Sequence, residues 1–227
     1  MNRRSLVLFS IIALILVTIY GPFVLKGGFG PSDDLAHAYN SDSGFASQIN
    51  SLLTSKGSAS RPLSVVIHSI TFSLFGDSPR PYIILQLIIW FASVALLSRI
   101  VNLMFGRLSA VLFLFFGAIP IFSSGIIFSS YMVGYTLSVF FWALSLIFIK
   151  KYVISEKRLY FWQSYLFLMF GLLSFEIIMP LLLFNVLLPL ILERHSKCEE
   201  DSNIIAVGLK YLLPVVALML LFFIFKV

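Results

Sequence analysis

Few residues in this chain could do chemistry, and they are concentrated. The stretch GGFGPSDDLAHAYNSDSG, residues 27–44, heads the longest polar segment with two adjacent carboxylates, Asp33 and Asp34. A carboxylate can take the proton of a hydroxyl, and a pair can share a divalent cation with a neighbouring donor. His37 follows at a spacing of three and four residues, so a helix there sets it on the aspartates' face. It could hold a metal with Asp33 and Asp34 or tune their ionisation; the alternative is a surface histidine. An oxygen-rich site of this kind suits Mg or Mn better than zinc. The aspartates also have a plainer reading, as solvated turn or helix-capping residues.

Three further residues are candidates. Arg61 precedes Pro62 and Leu63, and its planar fork suits a phosphate; an anchor to lipid head groups is the competing role. His68 lies on the short helix that follows. Glu176 falls inside the apolar run LLSFEIIMP, where a carboxylate is expensive and tends to face a protein interior or a water-filled cavity. It could instead be a neutral, hydrogen-bonded group that stabilises a helix break. The small-residue stretch IFSSGIIFSS (121–130) could line a groove or let two helices approach closely, and packing is the simpler role.

The elements that must position these residues are membrane helices. Hydrophobic residues make up 59% of the 227, charged residues 11%, and the mean hydropathy is +1.00. Soluble domains carry about one quarter charged residues, so the composition is that of an integral membrane protein embedded in a lipid bilayer. The formal charge of +6 comes from basic residues clustered in short loops, as membrane orientation requires, so a nucleic-acid partner is not expected. A single cysteine, Cys198, excludes an internal disulfide framework and a thiolate zinc cluster.

The expected fold is all-α: a polytopic transmembrane bundle of about seven spans, with an extracytoplasmic loop carrying short interfacial helices. Residues 1–25 form a retained first anchor. Residues 26–81 form the loop, with an amphipathic helix marked by Phe45, Ile49, Leu52 and Leu53. Residues 82–227 form the bundle. Pro62 at a first turn and Gly76 just past an end bracket a helix too short for a crossing, with Ser64, His68 and Thr71 in one stripe. Apolar runs follow at 82–98, 108–120, 132–149, 161–177, 178–192 and 204–225. As one helix, 161–192 would measure about 48 Å, so the chain should fold into two around Glu176–Pro180.

The basic residues then set orientation. With a non-crossing 62–75 helix and a cytoplasmic N-terminus, Arg3, Arg4, Arg99, Arg107, Lys150, Lys151, Lys157, Arg158, Arg194, Lys197 and Lys210 fall inside, and only Lys26, Lys56, Arg61, Arg80 and Lys226 fall outside. A crossing 62–75 helix would put KKYVISEKR (150–158) outside, against the positive-inside rule.

The order Asp33-Asp34-Leu35, Arg61-Pro62-Leu63, Phe75-Gly76 resembles membrane glycosyltransferases of the GT-C class, which take sugars from polyprenyl-phosphate carriers. It is most similar to bacterial and phage glucosyltransferases of O-antigen, and more distantly to lumenal O-mannosyltransferases. The resemblance spans about residues 5–180 and includes LLSFEIIMP, similar to an "LSKE…P" segment of the same group. It implies a polyprenyl-phosphate-linked sugar donor, an envelope glycan acceptor such as lipopolysaccharide, and a place in the bacterial inner membrane. It also implies inverting displacement at the anomeric carbon. Asp33 or Asp34 would be the catalytic base, Arg61 the contact to the lipid phosphate, and His37, His68 and Glu176 supporting groups, with a divalent cation where a metal is used. Phe175 stands where that group commonly has a Lys, which argues against phosphate binding at that spot. Enzymes of this class are usually much longer, so a truncated product is also expected. The alternative is a non-catalytic membrane protein that scaffolds or translocates a lipid-linked sugar.

Overall fold

The computed structural model describes Thr18, Tyr20, Gly21, Val24, Leu25, Asn50 and residues 61–76, 78–118, 133–196 and 204–226. Asp33, Asp34 and His37 lie outside these described residues, as do Phe45, Ile49, Leu52 and Leu53 and the stretch 121–130. Every described element is helical: α1 (Pro62–Phe75), α2 (Pro79–Ala118), α3 (Val133–Ser155), α4 (Arg158–Ser174), a 3₁₀ segment (Glu176–Leu183), α5 (Phe184–Ser196) and α6 (Ile204–Lys226). Four segments are long and apolar enough to cross a membrane: Arg80–Ala118, Val133–Ser155, Glu176–Glu193 and Ile205–Ile224. This is the helix inventory of an integral membrane protein, in which each backbone amide must be satisfied within its own segment.

α2 is two limbs. Gly106 adopts φ 85° and ψ 176°, a region open essentially to glycine alone. On one straight helix, Trp90 and Gly117 would stand about 40 Å apart. Instead Trp90 Nε1 donates to the Gly117 carbonyl at 2.9 Å. The chain therefore reverses at Gly106, and the second limb returns along the first. Tyr20 packs against this hairpin, donating to the Ala118 carbonyl at 2.8 Å and meeting Phe91 edge-on at 5.5 Å. Arg80 donates to the Leu25 carbonyl at 2.9 Å, so Leu25 lies beside the start of α2.

α3 and α4 form a second hairpin, turned at Glu156, whose φ is +55° and whose N–H caps α3 through the Tyr152 carbonyl at 2.7 Å. The two helices approach closely at both levels that glycine occupies. A Cβ on Gly171 would come within 3.2 Å of the Ser138 carbonyl and into Ile178. One on Gly134 would collide with the Ser64 side chain and meet the Ser174 carbonyl at 3.3 Å. Small residues at these contacts are how helices associate without a hydrophobic driving force between them.

The expected break in 161–192 is present. α4 stops at Ser174; Phe175 is extended (φ −164°, ψ 137°), and the 3₁₀ segment containing Pro180 leads into α5. α5 runs back beside α3. Trp142 Nε1 donates to Asn185 Oδ1 at 3.1 Å, Asn185 Nδ2 donates to Ser145 Oγ, and Ser164 Oγ donates to the Ser145 carbonyl at 2.9 Å. This buried network staples α3, α4 and α5 at mid-bundle. Around it, Ile100 of α2, Leu146 and Ile149 of α3, Leu168 and Leu172 of α4, Leu188 of α5 and Val215 of α6 form the main core.

α1 does not need to cross. It starts at Arg61 against the Phe175 break and ends at Gly76, which accepts a hydrogen bond from Tyr82 Oη near the start of α2. Both ends therefore lie at one end of the bundle. Pro62 and Gly76 occupy the positions their chemistry prescribes, with the Gly76 N–H bonded to the Phe72 carbonyl at 2.8 Å. The Ser64–His68–Thr71 stripe, expected in the membrane interface, is instead partly packed: Thr71 and its neighbour Ser69 are buried.

Candidate functional site

α1 brings Arg61 to the break between α4 and the 3₁₀ segment, where it meets Glu176. Arg61 Nε donates to Glu176 Oε2 at 2.8 Å and Nη2 donates to Oε1 at 2.6 Å, a bidentate fork joining residues 115 positions apart. The guanidinium carbon lies 3.8 Å from the centroid of the Phe175 ring, and Tyr135 at the start of α3 leans against that ring at 5.0 Å. The side chains of Arg61 and Glu176 remain 25% and 26% exposed. The site is thus a largely buried ion pair on an aromatic floor, with about a quarter of each side chain still exposed.

The local sequence explains the geometry. Pro62 fixes the first turn of α1, which leaves Arg61 outside the helix with φ −134° and ψ 54° and its side chain pointing off the helix end. Pro180 keeps the segment after Glu176 from continuing as an α-helix, so the chain unwinds there and Phe175 and Glu176 leave the α4 register. A carboxylate placed in an apolar run requires a partner, and a planar guanidinium supplies two parallel bonds and a stacking face. Removing either partner strands the other's charge.

Of the residues singled out in the sequence, the structure brings together Arg61 and Glu176. His68 lies nearly two turns along α1 from Arg61 and is half-buried. Asp33, Asp34 and His37 are outside the described residues, but the chain flanking them is placed. It leaves at Leu25, beside Arg80 at the start of α2, and returns at Arg61, so both flanks of the polar loop are at the end that holds Glu176. Among the described residues no three His, Cys, Asp or Glu side chains converge as metal ligands would. Tyr135, and the stacking of Phe175 under Arg61, are the features of the site that sequence reasoning missed. The signal for Phe175 was present as an aromatic beside the one acid of an apolar run, a stacking partner for a cation.

At the opposite end lie the Gly106 reversal with Arg107, the α3–α4 turn with Lys150, Lys151, Lys157 and Arg158, and Lys210 at the start of α6. The basic residues of the described chain therefore gather mostly at one end, and the Arg61–Glu176 pair lies at the other. Comparison with family models, with curated proteins and with solved structures finds no match to this chain.

Proposed function

We propose that this chain is a membrane glycosyltransferase that moves a sugar from a polyprenyl-phosphate carrier to an envelope glycan, in a bacterial inner membrane. The bundle has about seven spans, with the basic end and the N-terminus in the cytoplasm and the Arg61 end outside. The observation that carries the reading is the Arg61–Glu176 fork on Phe175. It joins the Arg-Pro-Leu and Ser-Phe-Glu segments at the end where the loop bearing Asp33 and Asp34 begins and finishes.

In this reading Arg61 holds the leaving phosphate. A guanidinium has five N–H donors, so a carboxylate clamped on one edge is compatible with an oxyanion on the other. Glu176 and Phe175 are positioning residues that fix the plane of the fork. Asp33 or Asp34 takes the proton of the acceptor hydroxyl. The hydroxyl oxygen attacks the anomeric carbon as the carbon–oxygen bond to phosphate breaks, and the electron pair leaves on the phosphate oxygen. Configuration inverts, and no covalent sugar–enzyme intermediate forms. The partner aspartate, with His37, orients the base or shares a divalent cation. His68 supports the site from α1.

A second reading draws on the same pair. Glu176 already offers both oxygens to Arg61, so the fork can serve as a purely structural clasp in a membrane protein that scaffolds a lipid-linked sugar. Mass analysis of envelope glycans separates the two. Cells carrying the intact gene should add one sugar that is missing in cells carrying Asp33→Ala together with Asp34→Ala. Identical glycans in the two strains, with both proteins present in the membrane, would support the clasp.

A further inference from the structure

The end of the bundle opposite Arg61 holds a cleft of about 240 Å³ that the proposed reaction does not use. It is lined by Tyr152 and Val153 from the end of α3, Glu156 from the turn that follows, Arg158 from the start of α4, Glu193 from α5 and Lys210 from α6. Residues of four helices therefore meet at it; Glu193 and Lys210 are held by neighbouring side chains, while Glu156 and Arg158 are exposed at its rim. Glu193 accepts from Tyr211 Oη and from Lys210 Nζ at 3.5 Å, and only 13% of its side chain is exposed. The Lys210 ammonium lies over the rings of Tyr152 and Tyr211, 4.8 and 5.0 Å from their centroids.

Two features define an occupant. The charged lining contains two carboxylates and two cations, Glu156 and Glu193 against Arg158 and Lys210, so it is neutral overall but polar. An anion meets two carboxylates there and a cation meets two basic groups, whereas a ligand carrying both signs satisfies both. The cleft also sits at the α3–α4 turn, at the ends of the membrane-length segments Val133–Ser155 and Glu176–Glu193. Ile154, Leu159 and Trp162 beside it are all exposed large apolar side chains, a surface for lipid tails. Lys151 rests over Phe148 and Tyr160, the aromatic-and-basic belt of a membrane interface. The volume is several times the ~30 Å³ share of a liquid water, room for a small headgroup.

We propose that this cleft is a headgroup site for a zwitterionic aminophospholipid, with the lipid phosphate on Arg158 and Lys210 and its primary ammonium on Glu156 and Glu193. A carboxylate has about four acceptor positions, so Glu193 keeps its tyrosine and lysine contacts while accepting from the ammonium. A primary ammonium donates to both carboxylates; the trimethylated ammonium of a choline lipid has no N–H to donate. The site is independent of the chemistry at Arg61.

The test uses the full chain in lipid nanodiscs holding equal parts ethanolamine, choline and glycerol phospholipids. The lipids retained after mild detergent extraction are quantified. Ethanolamine lipid should be enriched about tenfold over choline lipid, the ratio of a 1.4 kcal/mol preference. Glu156→Gln with Arg158→Gln should abolish the enrichment, while Lys151→Gln, at the same end but outside the cleft, should keep it. Equal retention of all three lipids in the wild type overturns the proposal, and that arm needs no variant to fold. Enrichment of the glycerol lipid overturns it in favour of a general basic surface. Saturable binding of soluble phosphoethanolamine to protein in choline-lipid discs, without enrichment of the ethanolamine lipid, overturns the lipid as the source.

Discussion

Arg61 and Glu176 meet edge to edge through two bonds of 2.8 and 2.6 Å across the mouth of a helix break. The pair is about three-quarters buried, so it is neither a solvated surface contact nor a fully desolvated one. Removing one partner should therefore cost less than the 3–5 kcal/mol seen for fully buried pairs, about 1–2 kcal/mol. Arg61→Met and Glu176→Leu alone should each lower the unfolding midpoint in detergent, and the double variant should recover most of the loss. A double-mutant cycle reads the coupling directly. Additive losses would mean that the two side chains do not depend on each other. Arg61→Lys should not rescue, because an ammonium lacks the planar fork and stacks poorly.

Phe175 sets the plane in which that fork lies, with the guanidinium 3.8 Å from its ring centroid. Phe175→Leu keeps an apolar side chain but removes the ring quadrupole, and should cost about 0.5–2 kcal/mol. Sugar transfer should fall more than stability does, since a misaligned fork still folds but holds a phosphate badly. Loss of stability with unchanged transfer per folded molecule would restrict Phe175 to packing.

Gly134 is where α1, α3 and α4 come together. A methyl group there meets Ser64 and the Ser174 carbonyl, one a short side chain and the other backbone. Gly134→Ala should destabilise by about 1–3 kcal/mol through overpacking. Ser64→Gly in the same chain should restore part of this, and the carbonyl contact at 3.3 Å should keep the rescue incomplete. A neutral Gly134→Ala would show that α1 does not pack on the α3–α4 pair as described.

Asn185 accepts from Trp142 and donates to Ser145 in the buried centre of the bundle. Asn185→Leu leaves the indole N–H of Trp142 without that acceptor and should cost about 1–3 kcal/mol. Trp142→Phe added to Asn185→Leu should return most of it, because donor and acceptor of that bond are then both gone and the Ser145 hydroxyl keeps Ser164 as a neighbour at 3.3 Å. Tryptophan fluorescence alongside thermal unfolding separates local rearrangement from global loss.

Local signals were readable where one residue's chemistry fixes the backbone. Pro62 and Gly76 marked the ends of α1, Pro180 beside Glu176 marked the break, and the two apolar runs on either side of Gly106 are the two limbs of α2. Pairing was not readable. The sequence contains Arg61 and Glu176 as separate candidates, and nothing in a hydropathy pattern says that residues 115 apart share a bond. Phe175 shows the limit most clearly. As a substitution in a motif it argued against an anion site, yet in three dimensions it supplies the face on which Arg61 rests. The Ser64–His68–Thr71 stripe had two equivalent meanings, because small polar residues serve both a wet interface and a tight helix contact. Burial of Thr71 decided it in part.

The proposed reaction is activation of an acceptor hydroxyl by Asp33 or Asp34 against a lipid-linked sugar. The direct measurement is release of polyprenyl phosphate from a radiolabelled polyprenyl-phosphate sugar, using purified protein in vesicles with added envelope glycan. Acceptor-dependent release by the wild type is expected. Release should fall about 10²–10⁴-fold in the variant lacking the catalytic base, Asp33→Ala or Asp34→Ala, with the unfolding midpoint unchanged. Full release by both aspartate variants, or none by a folded wild type with any polyprenyl-phosphate sugar tried, would rule this reaction out.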